Sequence, residues 1–226
     1  MFLRKPLFVL AFVLIASFSQ FASAALVPFN TTAAFNNQLT ASGLNGHFVN
    51  AFETTTVTPG LSVTANGVGY TLTGGGDGIQ ILNAPNSTST GTKSLAYNGG
   101  ADVDFIEGDI ITLTLPAGTR GLSLRLITQT PQDSLSFGTL TVGSTVAQAQ
   151  FVPGDPIAGS TSFKSYYLGI VDNSSTISSA TLTFTGGGTF YRIDDVGIVA
   201  VPEPSSFALA AVVGLVGFAR RRNRRS

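Results

Sequence analysis

The chain has 226 residues, twelve basic and twelve acidic side chains, a single histidine and no cysteine. The even balance hides an uneven distribution: between residues 25 and 200, five basic side chains face eleven acidic ones, which excludes a domain built to hold nucleic acid or an anionic lipid surface. A disulfide framework, a thiol nucleophile and a thiolate zinc site are excluded as well.

Residues 1–24 read as a secretory signal peptide. Arg4 and Lys5 precede an apolar stretch over residues 7–16, and Ala22-Ser23-Ala24 supplies a cleavage site at Ala22 and Ala24. Residues 25–200 then make one domain. Thr31 or Thr32 caps a short helix over residues 33–39, ending near Gly43, with Phe35 and Leu39 facing inward together. From there the hydrophobic period is two. Strands are expected at 47–53, at 61–65 and 68–73 around an Asn66-Gly67 hairpin, and at 79–82 after a glycine-rich turn. A polar loop over residues 83–92 follows. Further strands are expected at 94–97, 103–106, 110–115, 121–126, 135–142, 145–152, 163–171, 176–185 and 189–199. This many short strands between Gly, Pro, Asn and Asp mean an all-β jelly roll or β-sandwich with one short N-terminal helix; a closed barrel is the competing architecture. Alternation places Leu113, Leu115, Leu122, Leu124 and Leu126 in the core, and Thr112, Thr114, Ser123 and Arg125 on the wet face.

Chemistry is sparse. His47 stands alone, no nucleophile elbow occurs, and no catalytic residue is assigned. Asp102, Asp104, Glu107 and Asp109 cluster in sequence; they form either a solvated acidic turn or the carboxylate machinery of a secreted carbohydrate-active hydrolase. Sugar stacking has no tryptophan to use, which leaves Tyr70, Tyr97, Tyr166, Tyr167 and Tyr191, aided by Asn98 and Asp102, although tyrosine in a strand more often packs. Thr112 and Thr114, or Thr181 and Thr183, could join a flat threonine array of the ice-binding kind; ordinary exposed strand threonine is the simpler account.

Adjacent Asp194 and Asp195 lie in the strand Tyr191-Arg192-Ile193-Asp194-Asp195-Val196. Neighbours in a strand point to opposite faces, so one carboxylate enters the core unless a bulge intervenes. A buried carboxylate needs a partner: a hard cation such as calcium, or backbone amides and Arg192. The stretch resembles the I-D-D-V last strand of carbohydrate-binding-module-like jelly rolls. That resemblance implies a structural calcium shared between an early and the last strand, held here by Glu53 with Asp194 or Asp195.

The last 26 residues carry three features in order: Val201-Pro202-Glu203-Pro204, an uncharged apolar run over residues 207–219, and Arg220, Arg221, Arg222, Arg224 and Arg225. The prolines hold an extended, exposed peptide, the run enters a bilayer as a helix, and the arginines stop further transfer. From Ser205 the helix would be roughly 22 Å long, short against a hydrocarbon core of about 30 Å. This tail resembles the PEP-CTERM sorting signal of Gram-negative bacteria, also labelled an ice-binding-protein C-terminal motif. The resemblance implies export through the secretion machinery and a transient inner-membrane stay through the C-terminal helix. Exosortase, a membrane processing enzyme, would then deliver the protein to the cell surface or the extracellular space. It further implies company with exopolysaccharide and biofilm. The expectation is therefore an exported, non-catalytic surface or matrix protein, with the hydrolase as its alternative.

Overall fold

The computed structural model describes residues 26–44, 47–50, 52–74, 77–84, 88–99, 104–129, 138–149, 155–156, 163–185 and 190–200. The expected signal peptide and the tail after residue 200 lie outside the described residues. No described helix is long and apolar enough to cross a membrane.

Two antiparallel sheets face each other. Numbered in chain order, the first runs β1 (Leu26–Phe29), β12 (Phe163–Asp172), β8 (Thr119–Gln129), β14 (Tyr191–Ala200), β6 (Lys93–Tyr97) and β5 (Ile79–Asn83). Two more strands complete its eight: β11 (Asp155–Pro156) pairs with β12, and β2 (His47–Asn50) pairs with β14. The second, six-stranded sheet runs β10 (Thr145–Ala149), β9 (Gly138–Val142), β13 (Ser179–Phe184), β7 (Ile110–Thr114), β4 (Val68–Thr73) and β3 (Ser62–Ala65). The chain is thus an all-β two-sheet sandwich, and among the described strands each sheet stays open at its edges rather than closing into a barrel.

The core follows from the period-two pattern. Leu122, Leu124, Leu126, Leu168 and Ile193 from one sheet meet Ile111, Leu113, Leu140, Leu182 and Tyr70 from the other, all essentially without solvent contact. Phe184 stacks between Phe105 and Tyr191, with ring centroids 5.2 and 5.1 Å apart. The 66–67 turn joins β3 to β4 as expected, with both Asn66 and Gly67 at positive φ. The expected strand near residues 103–106 reduces to a bridge between Phe105 and Tyr191.

A second apolar cluster sits outside the sandwich. The single helix, α1 (Thr32–Ala41), starts where the Thr31 hydroxyl accepts the Ala34 N–H, and it lays Phe35 and Leu39 onto the outer face of the eight-stranded sheet. Phe35 meets Tyr167 and Phe29 edge-on at 5.7 and 5.9 Å. Its ring fits there because Gly169 lies beneath it; a Cβ at that position would come within 2.6 Å of the ring. This cover corrects one expectation. Ser123 and Arg125 are on the outer face, yet Ser123 is buried and Arg125 is half-buried.

Candidate functional site

β14 lies inside the eight-stranded sheet, and its neighbours change along its length. On one side it pairs with β8 throughout, while on the other Ile193 faces Leu95 of β6 and Val196 faces Asn50 of β2. The change of neighbour falls at Asp194 and Asp195. There the register with β8 slips between Asp194 and Gly197, and Asp195 takes φ +47°. This bulge resolves the strand-parity problem of two adjacent aspartates: the extra residue turns Asp195 so that both carboxylates reach the same side.

They grip the loop between β5 and β6. Asp194 Oδ2 accepts the Ser89 N–H at 2.8 Å, the Ser89 hydroxyl at 2.8 Å and the Thr90 N–H at 3.3 Å. Asp194 Oδ1 accepts the Asp195 N–H at 2.8 Å. Asp195 accepts the Thr90 hydroxyl at 2.5 Å and shares the single Ser89 hydroxyl proton with Asp194, at 2.8 Å from each, with the Arg125 guanidinium 3.7 Å from Asp195. Arg125 is itself steadied by donating to the Ser165 hydroxyl at 3.0 Å.

Glu53 holds the other end of that loop. One carboxylate oxygen accepts the Thr92 and Lys93 N–H groups at 2.6 and 2.8 Å, and the other accepts the Thr92 hydroxyl at 2.9 Å. Gly91 passes so close, at φ +65°, that a Cβ there would fall on the Glu53 carboxylate. The three residues singled out as a metal set thus converge on one short segment, from opposite ends.

Their electrostatics differ. Burial, reinforced by the neighbouring Asp195 charge, pushes the Asp194 carboxyl up to about 7, against the pull of the Ser89 and Thr90 donors. Glu53 is exposed; desolvation is the largest single influence and raises its carboxyl. The Thr92 and Lys93 donors together outweigh it, with the Lys93 charge helping, so the carboxyl sits below the ordinary value.

All three carboxylates accept hydrogen bonds from the protein's own N–H and O–H groups. Among the described residues, no three His, Cys, Asp or Glu side chains lie close enough to hold one ion. The backbone amides of Ser89, Thr90, Thr92 and Lys93 are prominent among the donors to those carboxylates. Arg192, the other foreseen partner, turns instead to Asp104 in a buried ion pair beneath the Phe163 ring.

Two members of the acidic cluster, Asp104 and Asp109, are buried and hydrogen-bonded within the fold. Asp104 is taken by Arg192, and Asp109 accepts the Ile106 N–H at 3.0 Å. Asp102 lies outside the described residues, as does the His47 side chain. Tyr70, Tyr166, Tyr167 and Tyr191 are buried, which removes them as sugar platforms. The residues that sequence reasoning missed are Ser89, Thr90 and Thr92. Their signal was visible in the loop's Ser-Thr-Ser-Thr-Gly-Thr run, dense in short donors beside a glycine.

β14 ends at Ala200, and the next residues are Val201-Pro202-Glu203-Pro204. Residues 200–225 match the family model described as PEP-CTERM protein-sorting motif. The chain carries a PEP-CTERM sorting motif. The motif implies an exported protein, held transiently in the membrane and processed there by exosortase. No curated protein matches the chain. Among solved structures, it is similar to the K2 cleaved adhesin domain of Lys-gingipain (Kgp), at 9% identity and TM-score 0.43, covering 69% of this chain and 99% of that one. It is also similar to the K1 cleaved adhesin domain of Lys-gingipain from Porphyromonas gingivalis W83, at 13% identity and TM-score 0.40, covering 70% and 100%.

Proposed function

We propose that this PEP-CTERM chain is a non-catalytic surface protein: a β-sandwich carried out of the cell and left at its surface in association with exopolysaccharide. The observation that carries the reading is the sorting motif starting where the last strand ends. In this reading Pro202, Glu203 and Pro204 present the processing enzyme with an extended peptide. The cluster Arg220, Arg221, Arg222, Arg224 and Arg225 holds the tail at the inner face of the membrane. Only Val201, Pro202 and Glu203 separate Ala200 from Pro204, at most roughly 14 Å of extended chain, so cleavage takes place almost against the folded domain.

The carboxylates support a scaffold rather than a reaction. Glu53, Asp104, Asp109, Asp194 and Asp195 all accept bonds from the protein's own donors. A hydrolase needs two carboxylates flanking a substrate and free to trade protons with it. The test is localisation. With Pro202, Glu203 and Pro204 all changed to Ala, the full-length precursor accumulates in the inner membrane fraction while the parent reaches the surface. A variant that matures like the parent removes this reading.

A further inference from the structure

The outer face of the six-stranded sheet is built differently from the rest of the surface. Its central row runs straight across six strands in register: Ser62, Thr71, Thr112, Thr181, Thr141 and Val146. A second row runs Thr73, Ile110, Thr183, Thr139 and Gln148. A third carries Thr64, Gly69, Thr114 and Ser179. The residues between these positions point inward and are buried, whereas the row residues are half-buried or exposed. No row position carries a charge, in a domain where acidic side chains outnumber basic ones eleven to five. Even the edge strands β3 and β10 lack the outward lysine or glutamate that commonly guards an edge.

A groove continues this face. About 240 Å³ of open space lies where β10 meets β1, lined by Pro28, Phe29, Asn30, Val146, Ala147 and Gln148. Val146 and Gln148 belong to both the rows and the groove. The groove thus brings Asn30 beside Gln148 at the end of a hydroxyl lattice. Short hydrogen-bonding groups without charge are the chemistry that suits a neutral sugar. Row hydroxyls repeat roughly 4.8 Å apart across the strands and about 6.8 Å apart along them. A polymer of repeating hydroxyl groups gains many weak contacts on such a lattice, whereas a single sugar gains few.

We propose that the threonine face and the β10–β1 groove form one binding surface for a neutral, hydroxyl-rich polysaccharide. The inference rests on the surface-protein reading and deepens it by naming the face. Absence of charge selects against an anionic polymer, which would meet no basic partner on the face and the domain's own negative field. Burial of Tyr70, Tyr166, Tyr167 and Tyr191 leaves hydroxyl and amide contacts to carry recognition.

The test is retention of the protein recovered from the cell surface on amorphous cellulose, on insoluble starch and on alginate gel. The parent binds at least one of the two neutral polymers and not the alginate. The pair Thr112→Val and Thr181→Val keeps shape and strand preference but removes two central hydroxyls; the retained fraction falls at least tenfold with melting unchanged. Asn30→Ala with Gln148→Ala gives a smaller loss. Thr112→Ser with Thr181→Ser restores binding, which separates hydroxyl loss from misfolding. Equal retention of the valine pair overturns the face while leaving polysaccharide binding in place. A parent found at the surface that binds neither neutral polymer, or only alginate, overturns the inference and leaves delivery untouched. Self-association of the parent that disappears in the valine pair also overturns it, by assigning the face to a second copy.

Discussion

On the eight-stranded sheet, the outer face carries Ser123, Arg125, Ser165, Arg192 and Asp194, and it lies under α1 and the loop at residues 88–92. On the six-stranded sheet, the matching outward positions carry Thr71, Thr112, Thr141 and Thr181, with no described element laid over them. The strand geometry is the same on both. The difference is what each face must satisfy. A covered face holds charges that water no longer reaches, so each needs a named partner. A bare face leaves its hydroxyls to water, so its residues are free to be chosen for what they touch outside. Stability is therefore concentrated on the covered face.

The comparison breaks most easily at its largest expected effects. Phe35→Ala empties the space between α1 and the sheet and costs about 3–5 kcal/mol, read as a fall in the urea midpoint. Asp194→Ala strands the N–H groups of Ser89, Thr90 and Asp195 and costs about 3 kcal/mol or more in the same measurement. Gly91→Ala forces a Cβ into the Glu53 carboxylate at a positive φ and costs about 1–2 kcal/mol. Thr181→Ala, on the bare face, changes the midpoint by no more than about 0.5 kcal/mol. A loss at Thr181 as large as that at Asp194 would erase the distinction between the faces.

A finer comparison lies within the covered face, between the two ends of the gripped loop. Asp194 holds its proton up to about pH 7 in the fold, against an ordinary carboxyl value of 3.8. The folded state therefore binds the proton more tightly than the unfolded chain, and this group's contribution to stability declines as pH rises from about 4 to about 7. Glu53 behaves oppositely. Its lowered value means that its contribution is present above the ordinary 4.5 and is lost as pH falls below it. Melting curves from pH 3 to 8 check both: Asp194→Asn removes the decline on the neutral side, and Glu53→Gln removes the loss on the acid side. The same slope in parent and Asp194→Asn would contradict the assignment.

Much of the sandwich was legible because its physics is local. Period-two alternation at residues 110–115 and 121–126 depends only on which face each side chain meets, and Thr31 caps α1 through an atom three residues away. The bulge at Asp194 and Asp195 was foreshadowed by the cost of burying a lone carboxylate. What stayed hidden was long-range. Nothing near Ser123 or Arg125 in sequence says that α1 and the 88–92 loop cover them. Glu53 and the two aspartates were found by type, but their partners are backbone amides at residues 89, 90, 92 and 93, and an amide has no signature in a sequence. β1 was missed because four residues interrupted by Pro28 leave too little alternation to read.

Hydrogen–deuterium exchange of the exported protein in chelator tests the covered face most directly. The account predicts that the amides of Ser89, Thr90, Thr92 and Lys93 exchange as slowly as the central residues of β8, because carboxylates hold them without a cation. Rapid exchange at those amides in chelator, slowed only when calcium is returned, would contradict it.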